Sequence, residues 1–162
     1  MDFRFTSEHR PSEIGNIIKF LSGSRLWVPS TDYPGHQNWL DKAYEEMRSG
    51  VKQPISADYN GCRAGAIVIQ AHKQILRYGE IRNVTLDPSV WGRHVAQFLV
   101  INAEFLSAEL FGSEYMIADA KATNRHIRRL LLSLGYEIMG VSDLYTWGRP
   151  DITYVKKIRH RK

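Results

Sequence analysis

The segment best suited to chemistry is residues 86–96, which read LDPSVWGRHVA. A strand is expected to end within it and a helix to begin. The first N–H groups of a helix have no partner inside the helix, and the helix dipole adds partial positive charge there. Such a junction can bind a diphosphate. Gly92 keeps the backbone approachable, Arg93 adds a cation, and Ala96 permits close packing against the strand. The segment therefore predicts an anion-binding loop.

The same segment resembles the pyrophosphate loop of the GNAT N-acetyltransferase superfamily, whose usual form is V-x-P-x-x-R/Q-G-x-G-x-G/A at the start of a helix. Pro88, Gly92 and Ala96 match that form in register. Trp91 replaces the basic or amide residue, and His94 replaces the second glycine. Three interpretations of His94 stay open: it contacts a phosphate, it points aside, or it marks a loop that no longer binds CoA.

The resemblance implies an enzyme that transfers an acetyl group from acetyl-CoA, its co-substrate, to a primary amine by direct attack within a ternary complex. The acceptor would be a protein or a small molecule, and no metal would be needed. Backbone groups of Val84 and Leu86 would bind the acyl carbonyl and the pantetheine arm. The phosphates would be held by the loop residues Trp91, Gly92, Arg93, His94, Val95 and Ala96.

A second match lies at residues 124–136, which read NRHIRRLLLSLGY and resemble the family segment N-x-x-A-x-x-L-Y-E-K-L-G-F. In the family this asparagine binds the pantetheine arm, so Asn124 is a candidate cofactor contact; a plain helix N-cap is the alternative. Leu131 stands where the family often has a tyrosine that protonates the departing CoA thiolate. Another proton donor is then required, and the candidates are Tyr136, Tyr145 and Ser133.

Glu80 is the candidate general base. It opens the strand before the loop, and its spacing resembles that of the catalytic glutamate in histone-acetylating members of the family. A partly buried carboxylate with a raised pKa can take a proton from the attacking amine, directly or through water. An ordinary carboxylate at the edge of a strand is the alternative.

Candidate contacts to the acceptor come from the segment between Arg25 and His36, which contains two prolines and a glycine and is expected to be a surface loop over the site. Tyr33 and His36 are the proposed substrate residues there. Two nearby aromatic side chains, Trp27 and Trp39, suit stacking or amine binding. Core packing explains them equally well, and it is the better explanation for Trp39.

Positive charge favours an anionic partner. The net charge is +5, and the tail 156–162, KKIRHRK, holds five of the cations. Four basic residues also crowd one short helix, where two could meet the CoA 3′-phosphate or a polynucleotide: Arg125, His126, Arg128 and Arg129. Arg128 is counted among the cofactor residues. A nucleic-acid modifier on a GNAT-like scaffold is therefore one alternative function, and a non-catalytic interaction module is another.

Composition is that of an ordinary globular protein, and residues 1–162 are expected to form a single domain. Cys62 is the only cysteine, so no internal disulfide forms and a reducing, cytoplasmic location is expected. No apolar run approaches membrane-spanning length. The spacing of His36, His72, His94 and His126 does not suggest a metal site.

Hydrophobic periodicity predicts an α/β (α+β) fold, and the resemblance implies a mixed, mostly antiparallel twisted sheet of six to seven strands with helices on both faces. Homodimers are common among similar proteins. The expected elements are a strand at 3–5, a helix at 11–21, a helix at 39–47, a hairpin of 55–59 with 62–71, a strand at 80–86, a helix at 93–110, a strand at 115–118, a helix at 124–134, and strands at 136–139 and 152–155.

Overall fold

The computed structural model describes residues 2–23 and 32–158. Trp27 and residues 159–162 of the basic tail therefore lie outside the described residues, as does most of the expected loop over the site. The elements are β1 (Phe3–Thr6), α1 (Pro11–Leu21), α2 (His36–Arg48), β2 (Lys52–Tyr59), β3 (Cys62–Ala71), β4 (Tyr78–Leu86), α3 (Val95–Phe111), β5 (Tyr115–Lys121), α4 (Arg125–Ser133), β6 (Glu137–Ser142) and β7 (Asp151–Lys157), with a short 3₁₀ turn at Pro88–Val90.

The seven strands form one sheet in the order β1-β2-β3-β4-β5-β7-β6. All neighbours are antiparallel except β4 and β5, which are parallel. This confirms the predicted mixed, mostly antiparallel sheet. One expected loop residue is helical: His36 is the first residue of α2, because the carbonyl of Gly35 accepts from the N–H of Trp39 and so begins the helix.

The helices cover both faces of the sheet, because strand side chains alternate between the two faces. On one face α1 and α2 bury Ile17, Leu21 and Leu40 against Ala66 and Val68 of β3. The neighbouring strand residues point the other way and join a second core with α3 and α4, which includes Ile67, Ile69, Leu99, Val100 and Leu131.

The parallel strands β4 and β5 separate at their carboxyl ends. Their pairing stops at Ile81 and Ala118. Beyond that pair β4 continues beside β3 as far as Leu86, and β5 continues beside β7 as far as Lys121. The backbone edges that face each other past Ile81 are therefore unpaired, and they form a slot between two strands that are each held from the far side.

A bulge begins the slot. Val68 of β3 pairs with Asn83, whereas the next β3 residue, Ile69, pairs with Ile81, so Arg82 is an extra residue on β4. A bulge bends its strand and increases the local twist. The bend turns β4 away from β5 directly after their last pair.

Candidate active site

The loop after β4 has the backbone of an anion site. Gly92 has φ 76° and His94 has φ 60°, both left-handed. A Cβ at Gly92 would meet no protein atom within 4 Å, so the backbone there is open to a ligand. Among the described residues, no backbone carbonyl accepts from the N–H of Gly92, His94, Val95 or Ala96. These donors stand at the N-terminus of α3, where the helix dipole favours a negative charge.

The side chain of His94 contacts a residue of α3. Its Nδ1 is 3.1 Å from Oε1 of Gln97, in the first turn of α3, and both side chains are on the protein surface. This contact is with a residue of α3, and the three interpretations of His94 stay predictions. The left-handed φ gives a physical reason for the glycine that the family has at this position, since only glycine adopts that conformation without strain.

The other loop side chains differ in their surroundings. Trp91 is 64% exposed and lies over the surface. The guanidinium of Arg93 lies 5.2 Å from the ring centroid of Tyr59, and its Nη1 donates to the Tyr59 hydroxyl at 3.2 Å. The positive charge of Arg93 therefore lies beside the loop, against the Tyr59 ring of β2.

Helix α4 begins shortly after β5, the strand on the other side of the slot from β4. Asn124 is its N-cap, with Oδ1 accepting from the N–H of Ile127 at 3.3 Å, so the alternative N-cap role is realised. Arg128 donates to the carbonyl of Ala122 at 2.6 Å and to the hydroxyl of Tyr154 at 3.2 Å. These bonds hold Arg128 against the protein rather than in the exposed basic cluster of α4.

Glu80 lies on the face of the sheet that carries α1 and α2, one residue before the last β4–β5 pair. Its side chain is 16% exposed. The amide nitrogen of Gln70 donates to Oε2 at 2.5 Å, and Nη1 of Arg82 lies 3.9 Å from the same oxygen. Nε2 of His72 lies 3.4 Å from Oε1. Glu80 is thus a partly buried carboxylate beside the start of the slot.

The tautomer of neutral His72 follows from its contacts. Its Nδ1 accepts from the backbone N–H groups of Gln74 and Ile75 at 3.1 and 3.0 Å. A nitrogen that accepts these bonds carries no proton, so in neutral imidazole the proton is on Nε2, which faces Glu80. Glu80, rather than His72, is left as the group that can accept a proton.

Asp119 is a candidate residue that the sequence analysis missed. It follows Ala118 on β5, where its carboxylate accepts from Thr153 at 3.0 Å and from the hydroxyl of Tyr145 at 3.1 Å. Burial raises the pKa of Asp119, although the hydrogen bonds from Thr153 and Tyr145 oppose this effect. The strand was expected to end at Ala118; extending the alternation by three residues would have placed Asp119 on the same face as Ile117.

Tyr145 and Tyr33 meet around Lys121. Their ring centroids are 5.2 Å apart, and Nζ of Lys121 lies 5.1 Å from the Tyr33 centroid and 5.4 Å from the Tyr145 centroid. The buried ammonium also donates to Asp151 at 2.8 Å. Burial raises the pKa of both tyrosines, to about 12 for Tyr33, so both stay protonated at neutral pH.

Two further predicted site residues, Tyr136 and His36, pack against the protein. Tyr136 is 2% exposed and lies in the hydrophobic core near Glu104, where burial raises its pKa. This corrects its candidacy as a proton donor, because a hydroxyl enclosed in the core cannot reach a substrate. His36 stacks on Trp39 at 5.8 Å between centroids, and burial lowers its pKa.

Within residues 2–23 and 32–158, no group of three His, Cys, Asp or Glu side chains is arranged to hold a metal ion. In the same ranges, no helix has both the length and the apolar character that crossing a membrane requires.

No protein-family model and no curated sequence matches the chain. Three solved structures resemble it closely in fold. An N-acetyltransferase from Staphylococcus aureus Mu50 has a TM-score of 0.77 at 12% identity and covers 98% of this chain and 100% of its own. An acetyltransferase of the GNAT family from Streptococcus pneumoniae has a TM-score of 0.75 at 15% identity, with the same coverage. An aminoglycoside 6′-N-acetyltransferase complexed with coenzyme A has a TM-score of 0.73 at 17% identity and covers 100% and 99%.

The architecture is therefore the GNAT fold, as the sequence motifs predicted. The structural likeness extends over nearly the whole chain in each case, including the parts that carry the slot and the loop.

Proposed function

We propose that this protein is an acyl-CoA-dependent N-acetyltransferase that acts on a primary amine. One observation carries the proposal: β4 and β5 separate after Ile81 and Ala118, and β4 leads directly to the open loop at Gly92. A slot with unpaired backbone edges suits the amide groups of a pantetheine arm, and free N–H donors at a helix N-terminus suit a diphosphate. Acetyl-CoA carries both groups in one molecule.

The proposed donor site uses mainly backbone groups. Val84 and Leu86, on the β4 edge of the slot, would bind the acyl carbonyl and the pantetheine, and the N–H groups from Gly92 to Ala96 would bind the diphosphate. The chemistry of this donor set fits the ligand, because it provides hydrogen bonds and helix-dipole charge without a side chain blocking the loop at Gly92.

Glu80 is the proposed base. An amine reaches the site mainly as its ammonium, and Glu80 would take one proton, directly or through water, to free the nitrogen lone pair. The nitrogen then forms a bond to the acyl carbon while the carbon–sulfur bond breaks. The second proton lost by nitrogen ends on the departing thiolate, so charge and atoms balance without a further reactant.

Tyr145 is the proposed residue for returning that proton to sulfur. Burial raises its pKa, so its hydroxyl keeps its proton at neutral pH. Its hydroxyl donates to Asp119 at 3.1 Å, and the proton that it gives to sulfur would be replaced by the one lost from nitrogen. Leu131, where the family often has a tyrosine, is buried in the core and takes no part.

The names of similar structures support an amine acceptor and leave its class open. Two of them are described as aminoglycoside 6′-N-acetyltransferases, and another as a ribosomal-protein-S5-alanine acetyltransferase from Vibrio fischeri, at 13% identity and a TM-score of 0.74. The shared feature of these acceptors is a primary amine.

Calorimetric titration with acetyl-CoA tests the donor site. We expect Gly92→Leu to weaken binding by about tenfold or more, because the side chain would occupy the space of the diphosphate. Gly50→Leu is the matched control: its φ is 79° against 76° at Gly92, and a Cβ meets no protein atom within 4 Å at either position. Both variants share the backbone strain, and only one lies in the loop.

S-acetylpantetheine, which lacks the diphosphate, should bind the native protein far more weakly than acetyl-CoA. Equal binding of the two donors, or equal losses in the two glycine variants, would contradict the proposed loop function. Thiol release in the presence of a panel of amines then tests transfer itself.

A further inference from the structure

A cavity of about 470 Å³ lies beside Glu80, on the α2 side of the sheet. Its walls include Gln70 and Arg82, which flank the carboxylate of Glu80 on β3 and β4. The volume is in the range of sites for small ligands. Because Arg82 is the bulge residue at the start of the slot, the cavity and the proposed acyl site adjoin.

The cavity wall holds an unsatisfied acceptor. Gln70 is 4% exposed, and its Oε1 has no hydrogen-bond partner among the described residues. The orientation of the amide is fixed by Glu80, because two oxygen atoms 2.5 Å apart would repel each other and the nitrogen must face the carboxylate. Gln70 Oε1 is thus left for a donor from a ligand, such as an ammonium group.

The same wall holds an unsatisfied donor. Nε of Arg82 is buried and has no hydrogen-bond partner among the described residues. Buried polar groups without partners are rare and costly. A ligand in the cavity that reaches these two lining residues would offer an N–H group to Gln70 and an oxygen acceptor to Arg82.

Charge around the cavity favours a negatively charged acceptor group. Lys52 forms an ion pair with Glu46, and Arg82 stands near Glu80. Lys42 and Lys73 line the exposed rim and lie near Glu46, whose pKa is lowered by its hydrogen bond from Lys52 and, to a lesser extent, by these two lysines. Four cations therefore face two carboxylates.

The second cavity of the same face is balanced by comparison. Its cations are Lys121, which pairs with Asp151, and Arg149, which pairs with Asp32. The excess positive charge is thus found at the cavity at Glu80 and not at this second cavity.

We infer that the cavity at Glu80 binds the acceptor, and that the acceptor is a small primary amine bearing a carboxylate or phosphate group. This inference rests on the proposed transferase function. The ammonium lies against Gln70 and Glu80 at the start of the slot, and the anionic group lies against Arg82 and the rim lysines. Polycationic amines are disfavoured, because their further charges would face Lys42 and Lys73.

The test compares matched amines: 4-aminobutyrate with 4-aminobutanamide, and O-phosphoethanolamine with ethanolamine, with spermidine as the polycation. Binding is measured calorimetrically with and without CoA, and acetyl transfer is measured by thiol release. The two anionic probes distinguish carboxylate from phosphate. We expect at least one anionic member to exceed its neutral counterpart by about tenfold in affinity and in kcat/KM.

The double variant K42Q/K73Q should reduce that preference to about threefold or less, since two rim cations are removed. K19Q/K157Q is its control: it removes the same net charge from exposed lysines outside the cavity, and it should keep the native preference. Arg82→Gln should lower the affinity for the anionic probe more than that for the neutral one.

The outcomes separate the two proposals. Transfer without an anionic preference, a preference for spermidine, or equal losses in both lysine variants would overturn the anionic acceptor while the transferase function stands. Anionic preference in binding, with no acetyl-CoA binding and no transfer, would overturn the transferase function while the cavity's ligand class stands.

Discussion

Nε2 of His72 lies 3.4 Å from Oε1 of Glu80, while Nδ1 of the same ring accepts two backbone N–H groups from the turn after β3. In this tautomer Nε2 of His72 carries a proton on the side of Glu80 and cannot itself take one. Its role in the proposed reaction is to position the carboxylate. The carboxylate of Glu80 therefore lies at the start of the slot, beside the cavity that we assign to the acceptor.

Glu80→Gln should lower kcat about 10²-fold or more, because the amide cannot accept the proton of the amine. The affinity for acetyl-CoA should stay within about twofold of the native value, since the proposed donor contacts lie elsewhere. Steady-state kinetics and calorimetry measure the two quantities. Glu114→Gln is the control, because Glu114 pairs with Arg77 outside the site. A kcat close to native in the Glu80 variant would exclude Glu80 as the base.

His94→Gly should raise the free energy of unfolding by about 0.5–1 kcal/mol, because φ is 60° at His94 and glycine adopts this conformation without strain. Asn60→Gly is the control: Asn60 has φ 49°, but asparagine tolerates the left-handed region, so the change should be only a few tenths. Urea denaturation measures both. A loss of stability in the His94 variant would mean that its contact with Gln97 outweighs the strain.

The order of strands and helices could be predicted from the sequence because each element carries its own periodic pattern and its own terminating residues. The slot between β4 and β5 could not be predicted from these periodic patterns. Which pair ends the contact between β4 and β5 depends on the bulge at Arg82, and a bulge is set by pairing with β3 rather than by local residue types. The start of α2 at His36 is likewise set by hydrogen bonding at Gly35.

Side-chain roles were harder to predict where the partners are distant in sequence. Asp32 pairs with Arg149 across more than a hundred residues, and Lys121 finds Asp151 on the neighbouring strand. No local spacing indicates such pairs. Tyr136 shows that a local motif can also suggest a role that the fold excludes. It follows the glycine of a matched motif, which made it a candidate proton donor, but its side chain is buried in the core.

Gly79→Ala should destabilise the protein by about 1–3 kcal/mol through overpacking. An added Cβ would lie only 2.7 Å from Sδ of Met116 and would also clash with the hydroxyl of Ser107, where β4, β5 and α3 meet. Gly15→Ala is the matched control in α1. A Cβ there meets nothing within 4 Å, so the helix should gain about 0.5–1 kcal/mol. Thermal and urea denaturation give the comparison, and equal effects would contradict close packing at Gly79.

The buried carboxylate of Asp119 should make stability depend on pH. Because its pKa is raised in the folded protein, the native state binds its proton more tightly than the unfolded state does. The contribution of Asp119 to stability is then fully present below the ordinary aspartate pKa of about 4, and it is lost as pH rises through the raised pKa. Ionised Asp119 opposes folding above that point.

Asp119→Asn removes this titration while keeping the size of the side chain and one oxygen acceptor. The free energy of unfolding of the native protein minus that of Asp119→Asn should therefore fall as pH rises from about 4, and then level off once the raised pKa is passed. Urea denaturation between pH 4 and 8 measures the difference, in which other titrating groups cancel. Asp41→Asn, at an exposed position of α2, should give a nearly flat difference. A difference that rises with pH for Asp119 would mean that the bonds from Tyr145 and Thr153 stabilise the charged form more than burial penalises it.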